Sequence, residues 1–501
     1  MLIRPDRDDL QVIGFYLGKV MVGVGYVLGA PMLVAAVMGD WDDLTAFLLG
    51  AGLAISVGRL AERRFATTQQ LDWSHGLVTA ALSWLLGAAL FAVPLDLSGH
   101  YGSYVDAFFE AMSGLTATGL TLTQDIDHMS VSVNLLRHIT HFLGGQGIII
   151  VMLTGLGSSS GQVSTLYVGE GRDDRILPNV VRTARFIYLV ASVYLVIGTI
   201  ALTLAGLVAG FSPLRSVIHG LNLFMAAFDT GGFATNSTSI SYYHSAAIEG
   251  VLIVLMVAGA LSFLLHYELW RGRRREVLEN LEVRTIAVTG LITTSLILLG
   301  LARAGTFTDM GSLFRTGVFS AISAHTSTGF TVNASRMFVT DWGRIAPAAL
   351  LMALALGGMA SSTAGGVKGI RVGLAAKSVS RDVRRAIQPD AAVVAVTYTQ
   401  RHRRRITDAP VRSAITILVL YLLLFITGAL VGVFYGVPFD QALFESTSAS
   451  VNGGMSVGVL TPDTPLPMKL TYTAQMWLGR LEFMAVFALF GYGVSLVRGR
   501  I

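Results

Sequence analysis

One kind of segment returns four times in this chain, and any fold must place all four copies alike. Phe109–Thr121 reads FEAMSGLTATGLT, Phe224–Phe233 reads FMAAFDTGGF, Phe319–Phe330 reads FSAISAHTSTGF and Phe444–Met455 reads FESTSASVNGGM. Each is a short, mildly apolar, helix-like run that dissolves into small and hydroxylated residues. Each stops on a glycine: Gly119, Gly232, Gly329 or Gly454. Glu110 and Glu445 stand at one distance before their glycines, and Ser113, Ser323 and Ser448 share another offset. The glycines recur at intervals of roughly 100–125 residues, the mark of an internal repeat.

Composition supplies the solvent. Hydrophobic residues make up 53% and charged residues 13% of the chain, where a soluble domain carries about 25% charge. Mean hydropathy is +0.63. These values describe an integral membrane protein. Cysteine is absent, which excludes disulfides and thiol chemistry. The net charge of +5 comes from basic residues gathered in loops, so it reads as a topology signal and not as a nucleic-acid surface. No cleavable signal is apparent in the charged stretch Met1–Leu10, and the apolar run behind it is long enough to remain as a span.

Crossing a bilayer takes about 20 apolar residues in a helix. That length predicts spans near Ile13–Met38, Leu44–Leu60, Ser74–Val93, Leu135–Leu156, Phe186–Ala209, Ala246–Trp270, Thr285–Leu301, Ile345–Gly373, Ala414–Tyr435 and Tyr472–Val497. Arginines follow the second, fourth, sixth and eighth spans, so those loops and the N-terminus are expected in the cytoplasm. The four recurring segments then fall on the outer side. The expected fold is all-α, with four repeats of helix, re-entrant pore helix with its loop, and helix around one pore. The divisions are an N-terminal helix pair at 1–70 and repeats at 71–170, 171–278, 279–400 and 401–501.

Non-helical backbone survives at membrane depth only where it lines a wet cavity or is buried in protein. Rings of main-chain carbonyls replace the hydration shell of a cation in potassium channels. Four such dips around one axis therefore read as an ion filter. Its expected residues are Thr116, Ala117, Thr118 and Gly119; Thr230, Gly231 and Gly232; Thr326, Ser327, Thr328 and Gly329; and Asn452, Gly453 and Gly454. Helix-dipole negative ends aimed at the cavity favour cations. A lone glycine here would more simply serve helix packing; four in register point to the filter.

Glu110 and Glu445 are expected to hold filter backbone from behind, with direct ligation as the alternative. Asp229 is the candidate for drawing cations to the mouth, and His325 is read as a wet, satisfied histidine. His138 and His141 resemble a metal pair, but no third ligand is evident, so they read as polar residues of the outer boundary. Leu356–Val372, LGGMASSTAGGVKGIRV, interrupts an apolar span with glycine and serine and should unwind below the third filter loop. Gly357, Gly358, Ser361, Ser362, Thr363, Gly365, Gly366 and Lys368 are its candidate gating residues. Arg480 in MWLGRLEF is expected toward the pore or against that loop, the alternative being a structural pair with Glu482.

These stretches together resemble the Trk/Ktr/HKT superfamily of potassium transporters, most closely its bacterial TrkH/TrkG type. The matching residues are Phe108–Gly119, Phe142–Ile150, Ala227–Ser237, His325–Phe330, Gly357–Val372 and Met476–Phe483. The resemblance implies potassium uptake across a bacterial inner membrane, a mobile intramembrane loop and a homodimer in membrane lipid. It also implies docking on a cytosolic ring of TrkA-type regulatory subunits, which would bind the nucleotide that this chain does not. The fourth loop, with Met455 and Ser456, departs from the Gly-Pro-Gly of close relatives. Gly119, where sodium-admitting relatives carry Ser, favours potassium. A sodium-permeable or Na/K-coupled transporter of the same fold is the rival reading. An intramembrane hydrolase lacks a Ser-His or paired-Asp arrangement, and a transporter of inverted halves would reverse the charge pattern between repeats.

Overall fold

The computed structural model describes residues 7–69, 71–147, 180–334, 337–389, 395–400 and 403–498. Helices dominate, and the only strands among the described residues are Thr397–Thr399 and Arg403–Arg405, paired antiparallel. Two helical stretches open the chain, Arg7–Val27 running on into Gly29–Met38, with Trp41–Arg64 folded back against them. The close approach is set by small residues: a Cβ on Gly18 would meet the Gly58 carbonyl oxygen at 2.8 Å, and one on Gly58 would meet that of Gly18 at 2.7 Å.

Four similar groups of helices follow. The first is Trp73–Leu97, Tyr104–Leu115 and Val131–Gln146; the second is Val180–Val208, Pro213–Phe228 and Ala246–Ala260. Leu281–Ala304, Met310–His325 and Ile345–Leu356 form the third, and Asp408–Phe434, Phe439–Ser450 and Leu466–Arg480 the fourth. In each group the short middle helix is the one expected as a pore helix. Its start is fixed by local chemistry: Ser103 Oγ accepts from Asp106 N and Asp309 Oδ1 accepts from Ser312 N, while Pro213 begins the second.

Ten spans were expected, the eighth of them broken by its glycines, and the structure adds sharp bends in two others. Among the described residues six helices are long and apolar enough to cross a membrane, or eight if two bent pairs each count as one. Ala246–Ala260 turns by 103° into Phe263–Trp270, and Leu466–Arg480 turns by 110° into Met484–Val497. The apolar helix from Ile345 stops at Leu356, and helix resumes only as the arginine-rich Gly369–Ala386. Val131–Gln146 ends at Gly147, and the remainder of its expected span lies outside the described residues. Hydropathy is blind to these bends because a turned helix keeps its apolar composition. Exposed apolar side chains such as Leu189, Val196, Ile200 and Leu204 ring the second group, as a lipid-facing surface requires.

Three large clusters make most of the core among the described residues. Phe47, Trp84, Phe91, Phe109 and Tyr472 join the N-terminal helices to the first and fourth groups. Phe224, Phe228, Phe319 and Phe330 join the second to the third, and Leu350, Tyr421, Phe444 and Met455 the third to the fourth. The arginine-rich hairpin packs through Tyr398 with Leu281, Leu374 and Val411.

Candidate functional site

After each pore helix the backbone makes the same turn. Ala117, Thr230, Ser327 and Asn452, each two residues before its glycine, are left-handed, with φ of 51°, 50°, 55° and 54°. The next residue donates its N–H back into the pore helix at one spacing: Thr118 to Ser113, Gly231 to Ala226, Thr328 to Ser323 and Gly453 to Ser448, at 2.8–2.9 Å. Gly119, Gly232, Gly329 and Gly454 then take φ between +65° and +89°. That region costs an L-residue roughly 1–2 kcal/mol, and sterics add to it. A Cβ on Gly119 would lie 2.0 Å from the oxygen of Gly231, on Gly232 1.8 Å from that of Thr328, on Gly329 2.5 Å from that of Gly453, and on Gly454 2.1 Å from that of Thr118. Each glycine abuts the carbonyl that precedes its neighbour's glycine, and the fourth contact returns to the first. The ring is closed.

Above it opens a cavity of about 280 Å³ whose lining includes all four glycines with Thr121, Arg137, Asn236, Thr331 and Ser456. The predicted filter residues are thus brought together. Hydroxyls brace the turns: Thr116 Oγ1 and Thr118 Oγ1 are 2.7 Å apart, Thr326 Oγ1 and Thr328 Oγ1 2.8 Å, and Asn452 Nδ2 donates to Thr118 Oγ1 at 2.9 Å.

Beneath lies the interrupted span. Gly357 and Gly366, both at positive φ, pinch its neck together, and Gly358 N donates to Gly365 O. Thr363 Oγ1 donates to the carbonyls of Phe228 (2.9 Å) and Gly259 (2.8 Å), and Gly366 N to that of Val451 (2.9 Å). The loop therefore reaches from the end of the second pore helix to that of the fourth, the two neighbours of the third in the ring. Ser361 accepts at its carbonyl from Phe263 N, and Ser362 Oγ donates to Met359 O. Arg480 clasps the loop, donating to Thr363 O at 3.0 Å and to Gly144 O of the first group. Lys368 folds back on Ala364 O. Glu482 pairs with Arg371.

Other expectations need correction. His138 and His141 do not mark an outer boundary: both are fully buried against Phe233 and the first pore helix. Asp229 is buried and accepts from Gln146 Nε2 at 2.7 Å, behind the pore-helix end and away from the mouth. His325 is buried and satisfied, with Nε2 2.9 Å from Thr289 Oγ1. Glu445 does brace backbone, accepting from Val457 N, Val459 N and Ser456 Oγ. Glu110 works through side chains instead, taking Thr121 Oγ1 and Arg137 Nε. Among the described residues no group of three or more His, Cys, Asp or Glu is arranged to hold a metal.

Sequence reasoning missed two features. Glu282, buried on Leu281–Ala304, accepts from Ala360 N (2.8 Å) and Ile370 N (3.0 Å), holding both flanks of the interrupted span. Gly144, Gly259 and Gly479, near the ends of their helices, let the last carbonyl of their own pore helix approach. A Cβ there would meet Leu115 O, Phe228 O or Ser450 O at 1.8–1.9 Å. Their signal was a small residue just before each break.

The family model for cation transport proteins of the TrkH type matches residues 44–492. An uncharacterized cation transporter of Methanocaldococcus jannaschii is 30% identical over 98% of this chain and 97% of its own length. The Trk system potassium uptake protein TrkH of Halomonas elongata is 30% identical over 96% of this chain and 98% of its own. The crystal structure of the potassium transporter TrkH from Vibrio parahaemolyticus superposes with a TM-score of 0.80 at 23% identity, over 96% and 98% of the two chains, which establishes the fold. By the extent of these matches, this chain belongs to the TrkH family of cation transport proteins.

Proposed function

We propose that the chain takes up potassium through a channel-like pore whose filter is the glycine-centred ring. The observation that carries the reading is the closed circuit of contacts among four equivalent turns, whose carbonyls converge where only backbone fits. The relatives named as potassium uptake proteins support the choice of ion. The carbonyls around Gly119, Gly232, Gly329 and Gly454 replace the hydration shell, and the four pore-helix C-termini favour positive charge. An interior-negative potential supplies about 2.3 kcal/mol per 100 mV for each inward cation. The segment 357–368, held by Thr363, Gly366 and Arg480, is the gate on the inner side.

The same reading places the chain in a bacterial inner membrane with its N-terminus in the cytoplasm, as a homodimer on a cytosolic TrkA-type ring that carries the nucleotide. Rubidium uptake in a potassium-uptake-deficient strain, with sodium as competitor, tests it. Selective uptake is expected, lost in Gly119→Ser and Gly232→Ser at unchanged protein level and raised by deletion within Ser361–Gly366. Full selective transport by both serine variants would refute the filter; sodium uptake equal to rubidium would favour the sodium-permeable alternative.

A further inference from the structure

Immediately after Gly232 the second filter segment runs down one face of the helix Val131–Gln146, which belongs to the first group. Asn134, Arg137, His138 and His141 share that face through their spacing of three and four residues. Asn134 Nδ2 donates to Thr235 O at 3.2 Å and Arg137 to Ala234 O at 3.4 Å. His138 sets Nδ1 2.7 Å from Asn134 O and Nε2 3.1 Å from Phe233 O, so its neutral ring donates to one of the two, and Phe233 N donates to His141 Nε2 at 3.1 Å. Successive backbone groups of Phe233, Ala234 and Thr235 are thus taken by successive side chains. Arg137 is fixed in turn by Glu110 and stacks 4.2 Å from the Phe233 ring centroid.

His141 is the rung nearest the ring. Its Nδ1 lies 2.9 Å from Gly114 O, a carbonyl that also accepts from Ala117 N at the turn into the first filter segment. These partners settle its tautomer: Nδ1–H donates to Gly114 and Nε2 accepts from Phe233. One neutral ring therefore spaces the first filter segment from the second. Its neighbours leave no slack, since a Cβ on Gly231 would stand 2.6 Å from the imidazole.

We propose that this ladder sets the ion selectivity of the ring, with His141 as the specificity-determining positioning residue between segments one and two. The inference rests on the filter reading above. Glutamine can replace the rung, because its amide donates and accepts; leucine fills the space and does neither.

The test is rubidium and sodium uptake by purified protein in vesicles. His141→Leu is expected to lower the preference for rubidium over sodium by about tenfold, and His141→Gln to stay within about twofold of the parent. Asn134→Ala, at the far rung, should move the ratio in the same direction by about threefold. It also reports on the ladder if the leucine chain does not fold. Unchanged ratios in His141→Leu and Asn134→Ala, or equal damage in the leucine and glutamine variants, would overturn the proposal. A parent protein that carries no ion would instead overturn the filter reading itself.

Discussion

The seam between the first and second groups and the seam between the third and fourth are built from opposite materials. At the first, the helix Val131–Gln146 presents Asn, Arg and two His to the neighbouring filter segment, and the Glu110–Arg137 pair behind them has no exposed side-chain surface. At the second, the corresponding helix Ile345–Leu356 reads IAPAALLMALAL and has no polar side chain to offer. Its Leu350 and Leu354 are fully buried, and the chain then breaks into the segment below the ring. Directional bonds hold a backbone at one setting, whereas apolar contacts tolerate sliding. The remaining seams lie between these extremes, each using one ion pair from helix to next pore helix: Glu249 with Arg315, and Lys469 with Asp106. The polar seam thus stands across the ring from the apolar one.

Perturbing each side in turn would break or sharpen this contrast. Arg137→Met strands the buried Glu110 carboxylate, which should cost about 3–5 kcal/mol. Thermal unfolding in detergent is expected to show a large fall, and a shift of a degree or two would mean that the polar seam is decorative. Leu350→Ala opens a cavity worth about 2–5 kcal/mol in the apolar seam. It should lower the unfolding midpoint while leaving the rubidium-to-sodium ratio intact; a changed ratio would erase the distinction between the seams. Thr363→Val removes the single hydroxyl proton, worth about 1 kcal/mol, that is shared between the carbonyls of Phe228 and Gly259 and ties the interrupted span to them. Rubidium flux into vesicles should rise several-fold, and an unchanged flux would take the segment out of gating. Glu249→Gln is the mildest, because the Arg315 side chain is 46% exposed; a stability change below about 1 kcal/mol is expected, and a larger one would show that this seam too depends on charge.

Much of the architecture was legible because membrane helices and repeats leave long, redundant signals. Apolar runs located the spanning helices, and four glycines in register anticipated the turns at Gly119, Gly232, Gly329 and Gly454. The unwinding after Leu356 was readable from its glycines. What escaped was anything that depends on which surface meets which. Hydropathy carried the Tyr472–Val497 run straight through Glu482 and Phe483, where φ is positive and the axis turns. His138 and His141 read as boundary residues because polarity, taken alone, points to water. In the fold that polarity is spent on the backbone of Phe233, a residue 95 and 92 positions away. Asp229 misled in the same way, since its partner Gln146 belongs to another group.

The circuit of contacts from Gly119 to Gly231, Gly232 to Thr328, Gly329 to Gly453 and Gly454 to Thr118 lies within a single polypeptide. An assembly of identical subunits must accept every substitution in quadruplicate, so a latch added to one quadrant appears in all of them. Here each quadrant mutates alone: one has acquired a ladder of side-chain bonds and another an interrupted helix, while the ring of turns they share keeps its fourfold pattern.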